Sequence, residues 1–199
     1  TMEAIDKMLA RLNTPYIDLL YVHQPVGDFV GAWKDMEKAV EAGKVRALGI
    51  SNFDDSDEVF HAIVDNMKIK PAVMQIECHP YAQRLNVREK VKPYEIAIEC
   101  WFPLGHGNKE LLSNPVIGKI AETHNKTIAQ IILRWHIQEG FSVIPGATNP
   151  DYIKENISIF DFELSDEEMT TMRSLNKEKR FFNMTLEQKQ GFVNMKMED

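Results

Sequence analysis

Hydrophobic positions along this chain alternate between two rhythms. In residues 2–12, Ile5, Met8, Leu9 and Leu12 recur at spacings of three and four, which places them on one face of a helix. The next stretch, Tyr16-Ile-Asp-Leu-Leu-Tyr-Val-His-Gln-Pro25, is apolar from Ile17 to Val22 except for Asp18. It predicts a buried strand ending at His23, and Pro25 cannot extend its ladder. Phe29, Trp33, Met36 and Val40 return to helical spacing, with Gly43 where a helix C-cap glycine belongs. Val45-Arg-Ala-Leu-Gly-Ile50, Ala72-Val-Met-Gln-Ile76, Ile96-Ala-Ile-Glu-Cys-Trp101 and Ser142-Val-Ile144 read as four more strands. Between them, one helix turns Val59, Phe60, Ile63 and Val64 inward, and a short polar one lies around 86–94. Asn114 caps another, with Pro115 at its first position. Thr127 and Gln130 form a capping box for the next, whose buried stripe is Ile128, Ile131, Ile132 and Trp135. Asn149-Pro150 and the Ser165/Glu168 pair open two more. From about residue 176 the chain is polar with scattered aromatics, and residues 176–199 are expected to form a C-terminal loop or tail.

Strands beginning near residues 16, 45, 72, 96 and 142, with helices between them, carry the rhythm of an α/β fold with a parallel sheet or barrel. No linker or low-complexity segment interrupts it, so residues 1–199 are expected to form one domain. A chain of 199 residues with 44% hydrophobic and 27% charged content can bury one sizeable core. The net charge of −7 argues against non-specific nucleic-acid binding and against a polybasic membrane patch. No apolar run approaches the roughly 20 residues of a membrane span. Cys78 and Cys100 are too few for a disulfide framework, and a reduced, cytoplasmic protein is expected. The six histidines show no metal-ligand spacing with one another or with the cysteines, so no zinc site is inferred.

Every predicted strand ends in something chemically useful: His23 and Gln24, Ser51 and Asn52, Gln75 with His79, Trp101, then the Pro145-Gly146 turn. In a (β/α)8 barrel such ends share one mouth, where the chemistry is kept. Each also has a plainer reading. His23 suits a core or rim histidine, Ser51-Asn52 a cap or turn, Gln75 a strand-end hydrogen bonder, Trp101 core packing and His79 a structural contact. No Gly-x-Gly-x-x-Gly follows a strand, so a Rossmann dinucleotide site is not indicated. The helix opened by Asn149-Pro150 has free amides suited to an anionic group.

Tyr16-Ile-Asp-Leu-Leu-Tyr-Val-His-Gln-Pro25, Gly43-Lys-Val-Arg-Ala-Leu-Gly-Ile-Ser-Asn-Phe53, Gln75-Ile-Glu-Cys-His-Pro80, Pro103-Leu-Gly105, Leu133-Arg-Trp135 and Glu155-Asn156 with Phe160-Asp-Phe162 together resemble the aldo-keto reductases, in family order and spacing from about residue 1 to 182. The resemblance implies a (β/α)8 barrel of the TIM type, with this chain covering about strands 4 to 8 and the C-terminal tail. It implies NADPH or NADH as cofactor, a small-molecule aldehyde or ketone as substrate, and reduction by hydride transfer. His23 matches the histidine that hydrogen-bonds the substrate carbonyl. Ser51, Asn52 and Gln75 match the residues that hold the nicotinamide amide. Trp101 falls where an aromatic ring stacks on the nicotinamide; Pro103, Leu104 and Gly105 match the loop along the pyrophosphate. Glu155 and Asn156 match adenine contacts.

Two departures from the family pattern bear on function. A whole barrel of this type needs about 250 residues or more, and the units that carry the family's catalytic Asp, Tyr and Lys have no counterpart here. The chain is therefore expected to be part of a longer reductase. The alternative is a shortened, non-catalytic cofactor-binding or regulatory relative, for which self-association is expected. Second, the family's Lys-Ser pair after Ile-Pro, and the Arg five residues beyond that Ser, hold the 2′-phosphate of NADPH. Gly146, Ala147 and Tyr152 stand at those positions. Weakened NADPH preference follows, because the charge-assisted bonds that distinguish NADPH from NADH are lost.

Overall fold

The computed structural model describes residues 1–184 and 186–194. Its elements alternate as the hydrophobic pattern implies: α1 (Met2–Leu12), β1 (Ile17–Val22), α2 (Phe29–Glu41), β2 (Val45–Ser51), α3 (Asp57–Val64), β3 (Val73–Glu77), α4 (Leu85–Val91), β4 (Ala97–Trp101), α5 (Lys109–Leu112), α6 (Pro115–His124), α7 (Ile128–Gln138), β5 (Ser142–Val143), α8 (Pro150–Ile157), α9 (Asp166–Ser174) and α10 (Leu186–Gln190). The strand order is β1-β2-β3-β4-β5, the order of the chain, and every strand pairing described is parallel. Antiparallel neighbours can be joined by a hairpin, whereas parallel ones need a crossover, and the intervening helices supply it. Five parallel strands with helical crossovers are consistent with part of a (β/α)8 barrel.

The chain divides into two compact units. The first comprises Thr1–Gln75, Lys90–Ala97 and the described residues from Asn183 on. Here β1 pairs with β2 from Ile17↔Val45 to Val22↔Ile50, and β2 pairs with β3 through Ser51↔Gln75. Asp18, the polar break in the first strand, faces solvent and accepts from Arg46 Nη1 at 2.9 Å on the neighbouring strand. The Arg46 guanidinium also lies 3.6 Å above the Tyr16 ring. The interior of this unit holds Trp33, Met36, Leu48, Ile50, Phe53, Phe60, Ile63 and Met74, all buried. Trp33 keeps its indole N–H satisfied by donating to the Ile69 carbonyl at 3.1 Å. The apolar stripe of α1 is covered at Ile5, while Met8 and Leu12 stay exposed.

The second unit comprises Ile76–Glu89 and Ile98–Phe182. Its core joins Tyr81, Leu111, Ile117, Ile120, Ile131, Ile132, Trp135, Leu164, Met169 and Met172. Each fully buried Ile, Leu or Met contributes on the order of 1.5–3 kcal/mol. Helix α7 supplies the centre of this cluster and starts where its capping box says it should. Gln130 N donates to Thr127 Oγ1 at 3.2 Å, and Thr127 N donates to Gln130 Oε1 at 3.1 Å. The Gln130 amide then donates to the carbonyls of Glu155 (3.2 Å) and Ser158 (2.9 Å), fastening α8 to α7. Buried Arg134 adds a bond to the Ile159 carbonyl at 3.2 Å. Expected caps hold at α6, where Asn114 accepts from Val116 N and Ile117 N, and at α9, where Ser165 and Glu168 form a second box. Within the segment expected to be a loop, α10 is a short helical stretch. Residue 185 and residues 195–199 of that segment lie outside the described residues.

Candidate active site

In the first unit, the ends of β1, β2 and β3 bring three predicted residues into one hydrogen-bonded set. Ser51 is fully buried, and its hydroxyl donates to Gln75 Oε1 at 3.4 Å while accepting from Asn52 Nδ2 at 3.1 Å. Asn52 adopts left-handed backbone (φ 61°), a conformation Asn tolerates better than most residues. That turn lets its main-chain N–H reach the Gln75 carbonyl at 3.1 Å and its side chain reach the His23 carbonyl at 3.3 Å. His23 follows β1 directly and its side chain is exposed. The structure thus links Ser51, Asn52, Gln75 and the His23 main chain through short polar contacts at neighbouring strand ends.

In the second unit, a cleft of about 1130 Å³ opens beside the end of β4. Trp101, Pro103, Leu104, Gly146, Ala147, Tyr152, Glu155 and Asn156 line it, all of them singled out in the sequence. Gly105 does not line the cleft but lies buried next to Leu104. The backbone turns sharply here: Phe102 (φ 51°), Gly105 (φ 60°) and His106 (φ 53°) are all left-handed. For Phe102 this is an uncommon and costly conformation, of the kind that clusters at binding sites. Gly105 is required on two counts, since a Cβ there would also sit 2.6 Å from the Phe181 ring. The rim is aromatic. Phe182 meets Trp101 edge-on at 5.3 Å, and Phe102 stacks on His106 at 4.8 Å. The Trp101 indole N–H is buried without a hydrogen-bond partner. Glu155 accepts from Thr127 Oγ1 at 2.6 Å, which fixes its carboxylate at the start of α7. Among the described residues, no Lys or Arg lines this cleft.

Two clusters in the second unit went unassigned in the sequence. Glu77 is fully buried, and its carboxylate gathers donors from a distant segment, Phe181 N at 2.6 Å, Phe182 N at 3.2 Å and Arg180 Nε at 3.0 Å, and from nearby His79 Nε2 at 3.3 Å. Burial by itself pushes this carboxyl up, but the bonds from His79, the Phe181 N–H, Arg180 and the Phe182 N–H outweigh it and hold it below the usual range. His79 stacks on Phe181 at 4.4 Å, so the plainer, structural expectation for His79 describes its surroundings. The signal for Glu77 was an acid at the end of an apolar strand, where an unpaired charge is not tolerated. The second cluster is Cys78, Cys100 and His136, all fully buried. A hydrogen bond from Cys100 lowers the Cys78 thiol to about 5, against the upward push of burial and with help from His136. Burial raises Cys100 well above its ordinary value.

Comparison with known proteins follows the same lines. The aldo/keto reductase family model matches residues 1–177. The 9,11-endoperoxide prostaglandin H2 reductase of Trypanosoma cruzi is 42% identical over 182 residues, covering 90% of this chain and 64% of that protein. This chain therefore spans 64% of the length of that curated relative. An aldo-keto reductase enzyme from a Medee basin deep-sea metagenome library superposes with a TM-score of 0.86 at 37% identity, covering 92% of this chain and 68% of the other. The crystal structure of a Bombyx mori aldo-keto reductase in complex with NADP gives a TM-score of 0.81 at 28% identity, covering 92% of this chain and 65% of the other. With the family model matched across β1 to β5 and on through α9, this chain belongs to the aldo/keto reductase family.

Proposed function

We propose that this chain forms one partial (β/α)8 domain of an NAD(P)H-dependent carbonyl reductase that converts aldehydes or ketones to alcohols. One observation carries the proposal: the residues expected along a dinucleotide, from Trp101 through Leu104 to Glu155 and Asn156, line a single cleft large enough for such a ligand. Its aromatic rim and the unpartnered Trp101 N–H suit a flat, polar heterocycle. When bound, NAD(P)H supplies the hydride that reduces the carbonyl carbon. The residues of this chain bind and orient. Trp101 offers a ring face for stacking, and Ser51, Asn52 and Gln75 offer hydroxyl and amide groups that suit a carboxamide. Pro103, Leu104 and Gly105 form the loop along the pyrophosphate, and Glu155 with Asn156 contact the adenine. His23 donates a ring N–H to the carbonyl oxygen and orients it. Protonation of that oxygen is assigned to a residue outside these 199, since no tyrosine of the chain falls at the family's donor position.

The cofactor preference we propose is weakened for NADPH, with NADH used as well or better. Gly146, Ala147 and Tyr152 carry no positive charge, and among the described residues no Lys or Arg lines the cleft, which supports this. We also propose a reducing, cytoplasmic location, in keeping with the two free buried thiols. Among the described residues, no helix is long and apolar enough to cross a membrane.

Fluorescence titration with NADH and NADPH, followed by turnover against a panel of aldehydes, tests the proposal on the intact protein. Binding with turnover is expected. Failure to bind either dinucleotide overturns the proposal, and binding without turnover assigns the non-catalytic, regulatory role instead. NADPH binding more than about tenfold tighter than NADH would contradict the cofactor preference.

A further inference from the structure

Cys78, Cys100 and His136 come from three different places: the residue just past β3, the next-to-last residue of β4 and the last turn of α7. The Cys78 N–H donates to the Trp101 carbonyl at 3.3 Å, which sets the two cysteine-bearing segments side by side. The two sulfur atoms and a ring nitrogen of His136 all lie within 4.8 Å of one another, and all three residues are fully buried. None of them lines the cleft described above.

The imidazole contacts are the informative part. Nδ1 of His136 lies 2.8 Å from the Ile132 carbonyl oxygen, and Nε2 lies 3.1 Å from the Cys78 carbonyl oxygen. Carbonyl oxygens only accept, and a neutral imidazole carries one N–H. The shorter contact, one helical turn back, takes that proton. Nε2 is left with a lone pair facing an oxygen and beside two sulfurs, where a thiol S–H is its donor within the protein. A metal ion takes the place of that proton, using the Nε2 lone pair and the freed thiolate together. A histidine whose Nδ1–H is tied to a main-chain carbonyl is also how metal-bound imidazoles are oriented.

We propose that Cys78, Cys100 and His136 bind one soft divalent cation of filled d shell, Zn²⁺ being the ordinary biological case. Sulfur and imidazole are the donors such ions select, and the Cys78 carbonyl oxygen is available as a fourth donor. Two thiolates and a neutral imidazole balance a charge of +2, so the loaded site carries no net charge into the interior. The ion clamps the ends of β3 and β4 to α7. Its role is structural and independent of hydride transfer.

Titration of the reduced, chelator-treated full protein with Co²⁺ under anaerobic conditions tests this. One equivalent is expected to give a thiolate-to-cobalt charge-transfer band and tetrahedral d–d bands, both removed by Zn²⁺. Cys100→Ser and His136→Gln are each expected to bind Zn²⁺ at least about tenfold more weakly. In the native sequence, Zn²⁺ is expected to protect Cys78 and Cys100 together from alkylation in mild denaturant, a readout that stands even where a variant fails to fold. A folded protein that gives no charge-transfer band overturns the proposal. So does stoichiometric binding unchanged in folded Cys100→Ser, or Zn²⁺ that leaves both thiols equally open to alkylation.

Discussion

Replacing Glu77 with Gln removes one charge at nearly constant volume, and its consequence follows from four contacts. The carboxylate receives the main-chain N–H groups of Phe181 and Phe182, the Arg180 Nε and the His79 Nε2. A carboxamide retains one accepting oxygen and turns an NH2 group toward donors, leaving at least one buried N–H without an acceptor. Hydrogen bonds to a charged group are worth roughly 1.5–3 kcal/mol each, and removing one partner of a buried ion pair costs about 3–5 kcal/mol. Relief from burying the carboxylate offsets part of this, so the net loss is about 2–4 kcal/mol. The loss belongs to the segment 180–182, whose Phe181 and Phe182 N–H groups both end on this one side chain. At about 1.4 kcal/mol per factor of ten, protection of the Phe181 and Phe182 amides should fall roughly 30- to 1000-fold. Amide hydrogen exchange on the wild type and Glu77→Gln measures it, with core amides such as Ile131 and Ile132 as the internal reference. Wild-type protection at Phe181 and Phe182 in the variant would refute the assignment, as would a loss spread equally over the core. The same carboxylate sets a pH dependence. Its folded pKa lies below the ordinary 4.5, so its stabilisation is present above 4.5 and is lost as pH falls through the folded value. Wild-type protection of these two amides should therefore fall on the acid side of 4.5, and the Gln variant should lack that step.

Four further substitutions probe the cleft and the turn beside it. Trp101→Ala should weaken NAD(P)H binding by about tenfold or more, because a stacked aromatic contact of roughly 1–3 kcal/mol is removed; fluorescence-independent calorimetry measures it, and unchanged affinity counts against stacking. Introducing cations with Gly146→Lys and Tyr152→Arg should shift the NADPH/NADH affinity ratio at least tenfold toward NADPH, as charge-assisted bonds to a phosphate become available; an unchanged ratio would place the 2′-phosphate elsewhere. Gly105→Ala should lower stability by about 2–4 kcal/mol in urea unfolding, since it combines left-handed backbone with a Cβ 2.6 Å from the Phe181 ring. A loss below about 0.5 kcal/mol would show that the Phe181 segment moves aside freely.

What the sequence determined by itself was everything carried by short-range physics. The capping boxes Thr127/Gln130 and Ser165/Glu168, the Asn114-Pro115 start and the Gly43 stop are interactions among residues at most four apart, and each forms as read. The parallel strands were legible because each is a short, largely apolar run bounded by polar or turn residues, and the candidate residues were legible because they stand at or just past the ends of those strands. For α1, periodicity names a face but does not say how much of it is covered: Ile5 is buried while Met8 and Leu12 are exposed. Only the tertiary structure decided which distant groups meet. Glu77 reads as one more polar residue in a motif until the 180–182 segment returns to it across a hundred positions. Chain spacing argued against a metal site, yet Cys78, Cys100 and His136 converge from two strand ends and a helix. A sequence records spacing along the backbone; buried charges and lone pairs are satisfied through space, and only folding supplies their partners.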